Sequence, residues 1–488
     1  MADTGPGVLA EPLLGEEQTA QPVLALEVSS VESEQRHSRQ STLSSVQWML
    51  SMNSLEAEDE KTNNVATPLL LAAFVAVGCG PALTWNCMWA SVAFFQEQLG
   101  KSVLAELGLA TNGSIFVGML AYFLLHNYSC VSPRVPVLCA LTFQAALCIA
   151  LPVFVALSGR GEHIPSWIIL GAAAANGAFM GLSHGAVSAV AGSFMGPSFV
   201  TAGMVGSGIA TVLPTLLQLA ITLSAGPSIE EQLTARRTAI YVVFPTAVVG
   251  IFTASIAWLY ITSVPYYLAA VVKERVRKAA RQERQSMEEV ESTKTKGLRR
   301  LCAVRSHIVI LFVTTVISTL GLAWSPHILS CASPETMAEP IQWMNLGNHI
   351  WWSSNLPAFL ANEYNVFAFV GVVAASSCGN LIEAVHKTRI GKAMMPLLAT
   401  LRVGFLVLVI CFVVYGVPTL FPILAFALAA LSSGFILVAE SSICQVVCRS
   451  DGARLCAIVA MVSWSTMQFG VVVGNIVGLL TGLYALPS

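Results

Sequence analysis

The sequence predicts an all-α polytopic membrane protein of about eleven transmembrane helices, six before a charged linker and five after it. Three observations predict this. Of the 488 residues, 55% are hydrophobic and only 11% charged, with a mean hydropathy of +0.71; soluble domains carry about 25% charged residues. Apolar runs of the ~20 residues that a helix needs to cross a bilayer recur along the chain. Lys and Arg are missing from most of these runs and gather in a few of the connections. The net charge of −2 gives no global case for a nucleic-acid partner.

In chain order, residues 1–66 are polar, rich in Glu, Ser and Gln, and carry no apolar stretch of the signal-peptide kind. They read as a disordered cytoplasmic tail, with "QWMLSMN" (Gln47 to Asn53) as a short interfacial turn. A six-helix bundle is expected over 67–272, with runs at roughly 68–95, 105–127, 135–157, 167–195, 199–225 and 239–272. Residues 273–305 form a charged cytoplasmic linker, and 306–488 a five-helix bundle with runs at roughly 306–330, 365–386, 393–416, 418–447 and 453–480. The linker from Lys273 to Arg305 holds eleven Lys/Arg, whereas the segment from Cys331 to Tyr364 and the C-terminal "YALPS" hold none. Positive charge therefore lies inside, the N-terminus inside and the C-terminus outside. Trp343, Trp351 and Trp352 suit headgroup-level anchors on the outer side.

Glycines set the packing. Gly177, Gly181 and Gly185 recur every four residues, Gly192 and Gly196 repeat the spacing, and Gly470, Gly474, Gly478 and Gly482 do the same in the last run. Such ridges let helices approach closely in a medium that offers no hydrophobic drive for association. Pro81, Pro214, Pro245 and Pro326 each remove a backbone donor within or near the end of a span. The twelve cysteines form no CxxC and no Cys/His cluster with zinc spacing, so they read as small hydrophobes, with no metal or cofactor expected. Asn112 in "NGS" is a nominal glycosylation acceptor that lies too near the membrane.

Polar residues inside the runs are candidates for function, because each needs a partner or a wet cavity. Arg402 in "LLATLRVGFLVLV" either snorkels to the inner interface or pairs with Glu440 of "FILVAESSICQ" as a structural ion pair. The alternative for Glu440 is substrate or proton handling. His184 in "GLSHG" is either a satisfied packing histidine or a titrating gate. Asn380, Glu383 and Lys387 in "NLIEAVHK" follow one another by about one helical turn, and Lys387 also reads as a positive-inside loop residue. Trp85 and Trp89 in "LTWNCMW" flank Asn86 on one helix and need partners for their indole N–H groups. No zinc-protease motif, nucleophile elbow, Walker loop or paired intramembrane acids are present, so no catalytic residue is assigned and a solute carrier is the expected class.

Four local patterns give the sequence a family likeness. "GPALTWN" in the first span is similar to a Gly-x-x-x-Pro-Trp-Asn motif, with Thr84 at the usual proline position. "GPSFVTAGMVGSGIATVLPTLLQL" is similar to a fifth-span block with a Met-x-Gly-x-Gly core, here Met204, Gly206 and Gly208. "NLIEAVHK" follows an eighth-span pattern, and "LRVGFLVLV" with "SGFILVA" matches the ninth and tenth spans. Together with the topology these resemble the equilibrative nucleoside transporters, of which this chain looks like a divergent member, from about residue 70 to the end. The resemblance implies a major-facilitator-like bundle that moves nucleosides, and often nucleobases, by alternating access. It places Trp85 and Asn86 in the cavity wall, with Trp89 on the same helix face as a further substrate-binding candidate, and Ser183 and His184 where the family has a base-binding glutamine. Glu383 and Lys387 replace the family's Asp and Arg near the ribose, and His386 its Gly; if that pair lies outside the cavity, Arg402 and Glu440 replace it as candidates. The function expected is equilibrative transport of nucleosides and nucleobases, purines favoured, at the plasma membrane, by a chain that is plausible as a monomer with lipid and substrate as its partners. The alternatives are a proton-coupled carrier of the same fold, with Glu440, Glu383 or His184 titrating, and a non-transporting scaffold or sensor.

Overall fold

The computed structural model describes residues 68–91, 94–95, 103–128, 132–158, 165–194, 197–225, 229–264, 304–320, 366–414, 420–448 and 453–484. The chain divides into a unit of residues 1–67 and a second unit of 68–488, and all described residues belong to the second. The expected tail and its interfacial turn, nearly all of the charged linker, the outer tryptophans, Pro326 and Gly196 lie outside the described residues.

Six helices form the first half: α1 (Pro68–Ala90), α2 (Val103–Tyr128), α3 (Arg134–Ser158), α4 (Ser166–Ser193), α5 (Pro197–Leu223) and α6 (Ile229–Ser263). The second half holds α7 (Val304–Leu320), α8 (Val366–Ser377), α9 (Gly379–His386), α10 (Arg389–Val414), α11 (Leu420–Cys448) and α12 (Ala453–Tyr484). Among the described residues eight helices are long and apolar enough to cross a membrane, and α7, α8 and part of α10 are shorter apolar helices. These eleven segments fall on the eleven runs read from the sequence. The chain is a multi-pass helical membrane protein. Leu120, Leu124, Val153, Phe252, Leu401 and Leu480 face outward from it, as lipid requires.

Local chemistry sets the helix ends. Prolines open α1 and α5, where a missing N–H costs nothing, and Glu230 and Glu231 stand in the first turn of α6, at the positive end of its dipole. Pro81, Pro152, Pro214, Pro245 and Pro396 sit inside continuous helices. The carbonyl of Pro81 accepts a hydrogen bond from the buried Gln144 amide of α3 at 2.9 Å, which ties the proline turn of α1 to its neighbour. One predicted span is broken. The run at 365–386 splits at Cys378 into α8 and α9, where Ser376 and Ser377 bond back to the carbonyls of Val372 and Val373 just before Gly379. Such back-bonding serines beside a glycine bend helices.

The glycine ridges are the closest contacts of the bundle. A Cβ added at Gly177 or Gly181 would fall on the Thr111 or Ile115 carbonyl of α2, and one at Gly118 on the Ala178 carbonyl of α4. Gly78 and Gly206 bring α1 and α5 equally close, against Gly203 and Val75; Gly371 and Gly434 do the same for α8 and α11. The Met-x-Gly-x-Gly block of α5 is thus a packing device, since Gly206 meets α1 while Gly208 faces the Phe369 ring of α8. Gly206→Ala is therefore expected to cost about 1–3 kcal/mol of overpacking. Gly171→Ala, whose new methyl meets nothing within 4 Å, is expected to be tolerated. Thermal unfolding of the detergent-solubilised pair checks this; equal midpoints would show that α1 and α5 are not in backbone contact.

Among the described residues the halves meet at several helix pairs besides the contact of Gly208 with Phe369. α12 packs on α2 and α4, and α11 packs on α5. Gly192 of α4 lies against Ala457 of α12, where an added Cβ would stand 2.7 Å from its Cα. Thr201 and Ser442 bring their hydroxyls to 3.3 Å between α5 and α11.

Candidate functional site

Where α4 turns away from α2, its other face borders a cleft. Gly177, Gly181 and Gly185 face α2, so His184, one residue from Gly185, points about 100° away. His184, Val187, Ser188 and Ala191 follow the i, i+3, i+4, i+7 spacing of one helix face, and all four line the cleft. α5 adds Phe199, Val200 and Gly203, α1 adds Gly78, and α12 adds Trp464 from the second half. The cleft is narrow and closes beyond Ala191, where Gly192 meets Cys456 and Ala457.

His184 is the chemical centre of this cleft. It is 4% exposed, and neither ring nitrogen has a hydrogen-bond partner among the described residues. Its ring stands edge-on to Trp464, with 5.0 Å between centroids. A buried polar group without a partner costs roughly 1–3 kcal/mol, so its persistence calls for an explanation. Among the described residues the ring is buried but its polar atoms are not satisfied. The site can offer an imidazole donor and acceptor, the Ser188 hydroxyl and an indole face. Those groups suit an uncharged polar ring better than an ion.

The structure separates the other predicted residues from this cleft. Trp85 and Trp89 contact each other at 5.4 Å, and Asn86 donates from Nδ2 to the Ala82 carbonyl of its own helix at 2.8 Å. None of the three lines the cleft; the α1 contribution is Gly78, seven residues before Trp85 on the same helix face. Thr84, at the family's proline position, is buried against Cys148 of α3 at 3.3 Å. Ser183 is fully buried, and its hydroxyl has no partner among the described residues. Glu383 and Lys387 pair with each other at 3.3 Å near the end of α9, with Lys387 largely exposed and Glu383 partly so. Asn380 lies on that same short helix. Asn112, the nominal glycosylation acceptor, lies inside α2 and donates to the Gly108 carbonyl at 2.8 Å.

Both expectations for Arg402 are overturned. It is 1% exposed, so it does not snorkel, and Glu440 bonds His307 of α7 instead. The Arg402 guanidinium donates to the Ala429 carbonyl of α11 at 3.2 Å, the Thr314 carbonyl of α7 at 2.9 Å and the Ser318 hydroxyl at 2.7 Å. Ser318 in turn shares a 2.7 Å bond with Ser433 of α11. Backbone carbonyls and hydroxyls surround Arg402 because three helices converge there, a placement invisible in a linear pattern.

Two residues escaped the sequence reading. Trp464 in "MVSWSTMQF" carries the same signal as Trp85, an indole in mid-span, here between serines. His307 in "VRSHIVI" sits beside Arg305 at the start of a run and resembles an interface residue.

No family model matches the sequence, and no curated protein matches it significantly. Solved structures do. The chain superposes on an E. coli fucose:proton symporter variant with a TM-score of 0.50 and 12% identity, covering 86% of this chain and 92% of that one. The fold is major-facilitator-like. A second structure of that transporter, in an outward conformation, gives a TM-score of 0.50 at 11% identity over 86% of this chain and 93% of the other. A proton:xylose symporter bound to a bromo-deoxyglucose aligns over 86% of this chain and 95% of its own, at a TM-score of 0.43 and 13% identity. At these identities the likeness establishes the architecture and leaves the ligand to the residues of the cleft. In a major-facilitator-like architecture, α1–α6 and α7–α12 are the two halves, and the His184 cleft lies where they meet.

Proposed function

We propose that this protein is a solute carrier that works by alternating access, and that the His184–Trp464 cleft binds an uncharged nucleoside or nucleobase, purines favoured. The observation that carries this reading is the buried, unpartnered His184 imidazole in a cleft walled by both halves. A purine ring can stack on the Trp464 indole face and offers the His184 nitrogens the donors and acceptors they lack. Trp85 and Trp89 lie on the continuation of the α1 face that begins at Gly78, so they line the approach to the cleft in this scheme. The family resemblance of the α1 and α5 motifs supports the nucleoside class.

Counterflow of radiolabelled adenosine or hypoxanthine into preloaded proteoliposomes tests the proposal, with fucose as a competitor because the fold is shared with a fucose carrier. Trp464→Ala is expected to lower counterflow by roughly tenfold, equivalent to about 1.4 kcal/mol of lost stacking. A well-folded wild-type chain that exchanges neither purine would reject the substrate class. A Trp464→Ala variant that exchanges normally would reject the cleft.

A further inference from the structure

Glu440 of α11 is fully buried, and its Oε2 lies 2.5 Å from Nδ1 of His307 on α7. Its second oxygen, Oε1, is buried without a hydrogen-bond partner among the described residues. The His307 ring, 15% exposed, stands edge-on to His386 of α9, with 5.1 Å between centroids. His386 ends α9 and is partly exposed. Two imidazoles therefore lead from a partly exposed helix end to a sealed carboxyl group. None of the three groups belongs to the His184 cleft.

The helices around this cluster carry other charges, among them Arg389 and Lys392 in the first turn of α10. On α7 only Arg305 accompanies His307, and it is exposed. On α9 Glu383 is held by Lys387. Arg402 of α10 bonds Ala429, eleven residues before Glu440 along α11. On α11 itself Cys444 lies one turn beyond Glu440. In the sequence of α5 there is no charged residue, and α12 has only Arg454, in its first turn. Among the described residues no group of three His, Cys, Asp or Glu is arranged to hold a metal ion, so a proton is the ligand that this geometry fits.

We propose that Glu440 and His307 bind a driving proton for the carrier, and that His386 passes it to them from the exposed end of α9. The assignment rests on the transport reading above. In the released state a neutral His307 donates a hydrogen bond from Nδ1 to the Glu440 carboxylate. In the loaded state a second proton, taken from water through His386, arrives at Nε2 of His307 as the Nδ1 proton passes to Glu440, leaving a neutral acid bonded to a neutral imidazole. One proton enters and one leaves per cycle, and no bond between heavy atoms changes. The coupling route is short. Ser442, two residues on, meets Thr201 of the first half at 3.3 Å, and Ala439 and Ile443 belong to the apolar cluster against which Trp464 packs.

The full chain is tested in proteoliposomes with radiolabelled adenosine as the probe, and by infrared difference spectroscopy without substrate. A one-unit pH gradient is expected to drive about tenfold accumulation in the wild type if one proton is coupled. Glu440→Gln and His307→Gln are each expected to bring the ratio of gradient-driven uptake to counterflow close to that without a gradient. The wild-type spectrum should show a carboxyl band whose intensity changes with pH; Glu440→Gln should remove it and His307→Gln should shift it. Gradient-driven accumulation undiminished in both variants, or no titrating band lost in Glu440→Gln, would overturn the proposal. Absent adenosine counterflow in the wild type would sink the substrate reading alone, because the infrared result decides the proton site without it.

Discussion

Arg402→Ala is expected to leave almost no folded protein. The guanidinium fills a site that is 1% exposed and joins α7, α10 and α11 through three donated hydrogen bonds. Truncation opens a cavity the size of one of the largest fully buried side chains and strands the Ser318 hydroxyl network. Large-to-small changes at such sites cost about 2–5 kcal/mol before any lost polar bonding is counted. Arg402→Lys keeps the charge but has no planar fork, so it cannot span carbonyls on two helices and a hydroxyl together. It is expected to recover only part of the folded yield. Size-exclusion profiles of fluorescently tagged protein check both variants. A monodisperse Arg402→Ala peak at wild-type yield would show that the three-helix junction is not held by this residue.

His184→Phe is expected to do the opposite to stability while removing function. An aromatic ring of similar size replaces two buried nitrogens that have no partner among the described residues, so the folded state loses an unmet polar cost of roughly 1–3 kcal/mol. The thermal midpoint should rise. Adenosine counterflow should fall by at least about tenfold, because the cleft loses its central donor and acceptor. A stabilised but inactive variant is the signature of a polar group kept for a ligand rather than for packing. Lower stability in His184→Phe would mean that the imidazole is satisfied in the folded protein and that the cleft has no reason to hold it.

The glycine spacing in the fourth span announced a close helix contact, and Gly177 and Gly181 do meet the backbone of α2. Those positions were legible because a packing ridge repeats along one helix, so its period is written in consecutive residues. The candidate site was less legible. His184 stood out as a polar residue in an apolar run, but no period says whether its nitrogens are met. That depends on α1, α5 and α12, which come from elsewhere in the chain. "LTWNCMW" shows the same limit: Asn86 turned out to bond its own helix, and the cleft takes Gly78 from the same face of α1.

Composition and hydropathy alone determined that the chain is a multi-pass helical membrane protein, and roughly where its eleven apolar segments fall. Those are properties of single segments against lipid, and a segment carries its own hydropathy wherever it packs. Tertiary structure decided which polar groups became partners. Arg402 and Glu440, the two charges deepest in apolar runs, both solved their burial on α7 and not with each other: Arg402 with carbonyls and hydroxyls, Glu440 with an imidazole 133 residues away in sequence. Pairing buried charges is a matter of which helices touch and at what depth, and neither is encoded within any one span.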